Sequence, residues 1–529
     1  MSLDPVTLQV LAGALRAACE EMGATLIRTA HSANIKERRD CSTAIFDSAG
    51  EMVMQAEHIP VHLGSMPQAV AAILGEEQRP GDLWILNDPF QGGTHLPDIT
   101  LISPVFVPDA NGTGTGTGGG LLGFTASRAH HADVGGQTAG AMPAYSRSLE
   151  EEGVVIPPTR VGEAELSQLA ARMRGPRQRL ADLRAQRAAN LTGERRLLEL
   201  SAAHGEELLR QGMAEVLDYA ERRTRAALTD MPDGTYEAAD VMEDDAGATP
   251  RDVELRVTAT VAGDSLRLDF TGTDPQVEGN LNCPLAVTLS AAFFAVRALT
   301  DPDAPPSAGA YRPIEVTAPH GCLVNARPPA AVAAGNVETS SRVADLVMAA
   351  LAAAVPGPAQ GQGTMNNLTL ASLPSLPSLD GDGEADGFTY YETVGGGQGA
   401  CPDADGPSAI HVAMSNTLNT PVEALETELP VRVRELAVRR GSGGAGLHSG
   451  GDGTIREIEA LAPMRFTLLT ERRRHAPRGR EGGGDGEPGR NLLNGNPLPS
   501  KCEGELQPGD VLRLETPGGG GWGRPGGPQ

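Results

Sequence analysis

Lysine is almost missing from this chain of 529 residues: Lys36 and Lys501 are the only two, and arginine carries nearly all the positive charge. That scarcity excludes mechanisms. Neither lysine follows a Gly-x-x-x-x-Gly frame, so no phosphate-cradling P-loop is written here, and any ATP used in the reaction is bound elsewhere. A Schiff-base lysine would have to be one of these two. The six cysteines (Cys19, Cys41, Cys283, Cys322, Cys401 and Cys502) form no C-x-x-C pair, which excludes a zinc ribbon or a redox dithiol and reads as reduced thiols in a reducing compartment. Long apolar runs are absent too. The most apolar segments, 286–299 and 343–355, are shorter than a bilayer requires and carry Arg297 and Asp345. The start, Met1-Ser2-Leu3-Asp4-Pro5, has neither the basic nor the apolar region of a leader. The formal net charge of −25 repels nucleic acid and anionic lipid. The chain therefore reads as a soluble cytoplasmic protein with no nucleic-acid and no membrane partner.

No period of 20 to 50 residues signals a repeat architecture. The length implies two to four domains, with 40% hydrophobic residues to build their cores. Asp4-Pro5 caps an amphipathic helix that reaches about residue 29, with apolar residues spaced by three and four at Leu8, Leu11, Leu15, Ala18, Met22 and Leu26. A hairpin over 41–46 and 52–55 turns at residues 47–50, and strands are expected at 82–86, 99–107 and 121–127. The Gly/Thr run 111–120 reads as a hairpin tip with no chemistry. Residues 162–229 are rich in Arg, Glu, Ala and Leu and predict two to four helices, interrupted near Gly175-Pro176 and Thr192-Gly193. Strands over 253–261 and 265–272, helices over 284–299 and 335–355, and a strand over 388–394 follow, with a Pro/Ser/Asp insertion at 373–387. The expected fold class is α+β, multi-domain, with mixed or antiparallel sheets and a helical insertion region. The expected divisions are an N-terminal α/β region 1–161, a helical region 162–231, an α+β middle domain 232–372 and a loop-rich, β-rich region 373–529.

The chemistry concentrates near the front. Six of the eleven histidines (His31, His58, His62, His95, His130 and His131) fall in the first quarter. One phrase occurs twice, a His with an Asp three residues on beside paired glycines: His95 with Asp98, then His130 with Asp133. Imidazole nitrogen with carboxylate oxygen suits Zn²⁺, Mn²⁺ or Fe²⁺ better than a calcium cage or a thiolate site. A purely structural His–Asp bond is the competing reading. If strands 99–107 and 121–127 pair, both phrases come to one end of the sheet. Glu37, in the charge cluster 34–40, is a further hard ligand or part of a solvated face. His58 and His62 lie on a short extended segment whose alternation turns both the same way. The stretch 335–342, with Asn336, Glu338, Thr339, Ser340 and Arg342, opens a helix whose free N–H groups and hydroxyls could take an anion; an ordinary capped helix is the alternative.

Seven stretches in order, 34–40, 87–98, 129–136, 272–284, 335–342, 391–399 and 416–423, resemble the hydantoinase B/oxoprolinase family, the B component of ATP-dependent hydantoinases and 5-oxoprolinases, related to a large subunit of acetone and acetophenone carboxylases. The departures are the Gly/Thr tip and the 373–387 insertion. The resemblance implies a hydrolase opening a cyclic amide at a divalent metal (Zn, Mn or Fe), after a hydantoinase A-type partner subunit has bound ATP and activated the substrate. It carries over Glu37, His95, Asp98 and His130 as metal ligands, with His130 preferred to His131, and Asp133 as a ligand or as the group that orients an imidazole. His58 and His62 become acid/base candidates, and the 338–342 helix start a seat for the phosphate of the activated substrate. A subunit of an ATP-dependent ketone carboxylase and a non-catalytic assembly scaffold stay open beside this reading.

Overall fold

The computed structural model describes residues 3–108, 120–244, 251–373 and 387–526. All but the last residue of the expected hairpin tip, and the insertion between residues 373 and 387, lie outside them. The first helix, α1 (Pro5–Thr29), begins as the sequence requires: the Asp4 carboxylate accepts from the amides of Val6 and Thr7, and Pro5 occupies the first turn. Its apolar stripe, Leu8, Leu11, Leu15, Ala18, Met22 and Leu26, is buried.

A six-stranded sheet follows, built from β1 (Cys41–Asp47), β2 (Met52–Glu57), β3 (Trp84–Leu86), β4 (Asp98–Phe106), β5 (Leu121–His130) and β6 (Thr159–Arg160) in the order β2-β1-β5-β4-β3-β6. Every neighbouring pair is antiparallel. Both faces are covered, so its longer strands are buried along almost their whole length, polar residues included. Successive residues go to opposite cores. Ile45 packs with α1 and with the helices α2 (Pro176–His204) and α3 (Glu206–Thr229), while Ala44 and Phe46 enter the central core with α4 (Leu285–Thr300) and α5 (Ser340–Leu351).

The helical region differs from expectation at one point. The break at Gly175-Pro176 is present, with Gly175 in the left-handed region, but α2 runs unbroken through Thr192-Gly193 and stops only at Gly205. Gly193 marks a close approach: a Cβ there would collide with the Met22 sulfur on α1 and the Thr125 methyl on β5.

The central core also takes a second sheet, β7 (Gly234–Asp244), β8 (Arg251–Ala262), β9 (Ser265–Asp269) and β10 (Ile314–Thr317), in the order β10-β9-β8-β7 with β9 and β10 parallel. β7 escaped the sequence pattern because two of its buried side chains are Asp240 and Glu243, which are met by distant Arg342, Gln360 and Arg472 and by the backbone at Arg473, Arg474 and His475.

The C-terminal part supplies β11 (Asn367–Ser372), β12 (Thr389–Glu392), β13 (Val431–Arg439), β14 (Gly453–Ala460), β15 (Met464–Leu469), β16 (Arg490–Leu493), β17 (Asn496–Leu498), β18 (Lys501–Leu506) and β19 (Val511–Glu515). They form the sheets β12-β11-β15-β18 and β13-β14-β19-β16-β17, completing an α+β architecture. The C-terminal glycine runs pack tightly against one another. Backbone meets backbone at Gly397, Gly451 and Gly519, joined by the bonds Gly519 N to Gly451 O (2.9 Å) and Gly451 N to Gln398 O (2.8 Å).

Two glycine substitutions separate close approach from mere propensity. A Cβ on Gly335 would overlap the Asn282 carbonyl, whereas Gly13, exposed on α1, has open space around it. Gly335→Ala is expected to destabilise by about 1–3 kcal/mol, and Gly13→Ala to stabilise by about 0.5–1 kcal/mol. Urea unfolding of both variants checks the pair.

Candidate metal centre

The loop entering β4 is pinned by Asn87. Its amide donates to the carbonyls of Leu96 (2.8 Å) and Val154 (2.9 Å), while its oxygen accepts from Ile156 N (2.7 Å). Gly93 sits against the Asn87 and Asp88 carbonyls, where a Cβ would not fit. This loop delivers His95 beside Asp98, the first residue of β4, and the strand register sets Asp98 directly opposite His130, the last residue of β5.

Three donor atoms converge there. His95 Nε2 lies 3.1 Å from His130 Nδ1, and Asp98 Oδ1 lies 3.6 Å from the first and 3.3 Å from the second. Among the described residues, this is the one cluster of three His, Cys, Asp or Glu donors with that spacing, and all three are buried. A first-row cation about 2.1 Å from nitrogen and oxygen ligands sets them about 3.0–3.4 Å apart, a spacing that two edges of the triangle match and the third exceeds slightly. The other carboxylate oxygen, Oδ2, is occupied by the Thr94 hydroxyl (2.7 Å) and lies 3.4 Å from His62 Nε2. His62 Nδ1 is in turn 2.9 Å from Ser42 Oγ. The His130 ring stacks on Tyr391, with centroids 4.6 Å apart, and the Tyr391 hydroxyl donates to Asn367 (2.7 Å).

Burial governs the electrostatics. It pushes His95 down to about 3, with Asp98 acting against it and the His130 and His62 rings adding to it. The same burial acts to raise the Asp98 carboxyl, but His95, His130 and His62 outweigh it and hold the group well below the usual carboxylate range. A neutral His95 beside an ionised Asp98 is the protonation state a cation requires of these two ligands.

The remaining sequence candidates are distributed differently. His58 and His62 do not share a face, because Pro60–His62 forms a 3₁₀ turn: His62 reaches Asp98, while His58 lies against Gly23 of α1. Asp133 stays out of the triad and holds its own glycine loop, accepting from Gly135 N (2.8 Å), Gly140 N (2.7 Å) and Arg174 (3.1 Å). Consecutive residues alternate, so His131 turns to Gln186 (2.9 Å) while His130 joins the triad. Glu37 is half-buried and faces Glu428; from its charge cluster it is Asp40 that lines the triad's cavity.

The helix start at 335 corrects the expectation of free donors. Residues Gly335–Thr339 make a wide π-type turn, Gly335 N donates to Asn280 O (2.9 Å) and Asn336 N to Val332 O (3.2 Å). Thr339 donates to Leu281 O, Ser340 to Asn336 O, and Arg342 pairs with Glu471 (3.4 Å). Glu338 accepts from Met365 N (3.1 Å) and Asn367 (2.7 Å). Only Asn336 of this set lines the cavity.

Sequence reading missed Tyr391, Thr393, Ser415, Thr417 and His411. The first four line the cavity, and Arg38, itself fully buried, ties three of them together by donating to Tyr391 O (2.9 Å), Thr393 (2.6 Å) and Thr417 (3.2 Å). The positions of those three inside the stretches 391–399 and 416–423 were the available signal. His411 braces Ser415 (2.6 Å) and Asn419 (3.0 Å) behind the wall.

The sequence pattern of the hydantoinase B/oxoprolinase family matches residues 4–525. Among curated relatives, 5-oxoprolinase 1 of Arabidopsis thaliana is 38% identical over 560 residues, covering 98% of this chain but 42% of the plant protein. A putative D-/L-hydantoinase B component of a Pseudomonas species is 30% identical over 554 residues, covering 99% of this chain and 90% of that component. The chain thus spans about two fifths of the 5-oxoprolinase and nearly all of the hydantoinase component. Among solved structures, the ATP-dependent caprolactamase of Pseudomonas jessenii superposes with a TM-score of 0.89 at 29% identity, over 99% of this chain and 92% of the other.

His411 yields a test of the wall. Burial pushes it down to about 3 from an ordinary 6.5, and Arg38 adds to the effect while Asn419 opposes it. The unfolded chain takes up this proton near 6.5, so the stability from neutral His411 is complete above that pH and is lost as pH falls toward 3. His411→Asn is expected to flatten the acid limb of unfolding free energy against pH between about 6.5 and 3, by a few kcal/mol.

Proposed function

The chain belongs to the hydantoinase B/oxoprolinase family, and from this we propose that it is the B-type component of an ATP-dependent hydrolase of cyclic amides, acting at a divalent cation. The observation that carries the reading is the buried triangle of His95, Asp98 and His130 donor atoms, with edges of 3.1, 3.3 and 3.6 Å. These residues would hold Zn²⁺, Mn²⁺ or Fe²⁺, which when bound acidifies water and polarises a carbonyl. The chain's own residues prepare the site. Thr94 and His62 hold Asp98 Oδ2, leaving Oδ1 to the cation, and Ser42 fixes the His62 ring. Tyr391 fixes the plane of His130. Ile59, Val61, Met365 and Met414 give the cavity an apolar wall, and Asp40, Asn336, Thr393 and Thr417 a polar one; its volume of about 20 Å³ is room for a single ion or water, so a ring would enter only with movement of these walls. His62 is thereby a positioning group, and His58 is off the cavity.

Activation is assigned to an A-type partner subunit that binds ATP, since this sequence holds no P-loop. The relatives named 5-oxoprolinase and hydantoinase, with the caprolactamase fold, support a lactam or imide as substrate. We place the protein in the cytoplasm; no helix among the described residues is long and apolar enough to cross a membrane.

Elemental analysis of the chain purified without chelator is expected to find about one Zn, Mn or Fe per chain, lost in His95→Ala and Asp98→Asn while circular dichroism is unchanged. Thr94→Val, which frees Asp98 Oδ2, is expected to weaken metal affinity by about 10–100-fold. With the ATP-binding partner present, ring opening of 5-oxoproline, hydantoin or caprolactam should require ATP and fall with metal content. A chain that takes up no metal on reconstitution overturns the site, and bicarbonate-dependent carboxylation of a ketone in place of ring opening overturns the reaction class.

A further inference from the structure

On the other side of β12 from the triad lies a cleft of about 690 Å³ that shares none of the triad cavity's lining residues. Tyr391 faces the triad and its neighbour Tyr390 lines the cleft, as alternation along a strand requires. The volume is that of a small-molecule pocket. Its lining includes Arg174, Gly175, Gln178 and Arg179, which are the residue before the cap of α2, the cap itself and two residues of the first turn.

Three observations point to an anion at the α2 end of this cleft, whose lining also holds the carboxylates of Asp133 and Glu428. First, Arg179 is 1% exposed, yet its Nε and Nη1 have no hydrogen-bond partner among the described residues. Its Nη2 donates to Gln178 and stands 3.8 Å from Asp182 Oδ2, an ion pair too long for a hydrogen bond. A guanidinium removed from water with unmatched donors is costly unless an acceptor reaches it. Second, Asn34 Nδ2 and Ser32 Oγ, both buried and lining the same cleft, are also without partners among the described residues. Third, the cleft receives the N-terminus of a 29-residue helix whose cap, Gly175, supplies no side-chain hydrogen bond, so the positive end of the helix dipole is uncapped there. Arg174 stands beside it, paired with Asp133 at 3.1 Å. The exposed Glu428 lies on the rim of the same cleft.

We propose that this cleft is a second binding site, which takes the oxyanion of a small organic acid or phosphate on Arg179, Asn34 and the first turn of α2. The apolar lining, with Tyr390 and Leu429, gives room for a carbon skeleton attached to the anion. The site is independent of the triad: occupying it needs neither a metal nor an ATP-binding partner.

Isothermal titration of the whole chain tests this, with three probes used separately: inorganic phosphate, L-glutamate and 5-oxoproline. Saturable binding of at least one at millimolar concentration or below is expected. Arg179→Met is expected to weaken it at least about tenfold, equivalent to about 1.4 kcal/mol. Arg174→Gln, at a side chain 42% exposed and so tolerant of change, is expected to weaken it in a variant that folds normally. His95→Ala is expected to bind as the parent does. Preference for phosphate assigns a phosphate-bearing ligand, and preference for glutamate or 5-oxoproline a carboxylate; either supports the site. Binding of none of the probes, binding unaltered in both arginine variants, or binding abolished by His95→Ala overturns it.

Discussion

The pairing of β4 with β5 is the constraint on which the triad depends. Antiparallel register sets Asp98 across from His130, and β1 on the other side of β5 places Asp40 against the same end, where its carbonyl accepts from His130 N at 3.1 Å. A slip of one residue would turn His130 to the face that His131 now occupies, against Gln186 on α2. Register is held by burial on both faces: Ile99, Leu101 and Ile102 are fully buried, so no shifted pairing keeps their environment. Chemistry at the sheet end is therefore positioned by the cores above and below it.

Asp98 is the electrostatic centre of the arrangement. One oxygen meets two imidazoles and the other meets a hydroxyl and a third imidazole, all shielded from water. Each contact acts to keep the carboxylate ionised against burial, and burial keeps His95 neutral. Asp98 and His95 are thus already deprotonated, the condition under which a cation takes them as ligands without displacing their protons. Around it, a second buried network gives the fold rigidity. Arg342 and Lys501 share Glu471, and Arg472 joins Asp240 to Asp345, linking the 335–351 helical segment to β7, to β18 and to the residues that follow β15. Removing one partner from such a network strands the other in the interior, a loss of about 3–5 kcal/mol.

Local patterns were legible wherever one side of an element faces a core and carries ordinary apolar residues. The Asp4-Pro5 cap and the stripe of α1, the 41–57 hairpin and the Pro284-capped α4 follow from spacing and capping alone. The pattern failed where buried positions are polar. β7 buries Asp240 and Glu243, and α2 carries Gly193 in mid-helix because α1 and β5 approach it there. The Gly335–Arg342 stretch has a capped helix's composition, yet it is buried, so its hydroxyls and amides are spent on neighbouring carbonyls. Composition cannot distinguish a donor waiting for an anion from a donor already paired inside.

By itself the sequence determined that imidazoles and carboxylates, rather than lysines or paired thiols, are the candidate donors near the front of the chain, and that the two His-x-x-Asp phrases belong near one another if their strands pair. Residue type sets donor chemistry, and a hairpin's length sets which stretches can meet. Only the tertiary structure decided membership. It kept Asp98 and released Asp133 to its glycine loop, and it chose His130 over His131 by the alternation of β5. From more than 250 residues downstream it brought Tyr391 to stack on His130. That last contact joins strands of different sheets, and no local spacing encodes it, because the packing of the two layers alone sets which side chains meet across them.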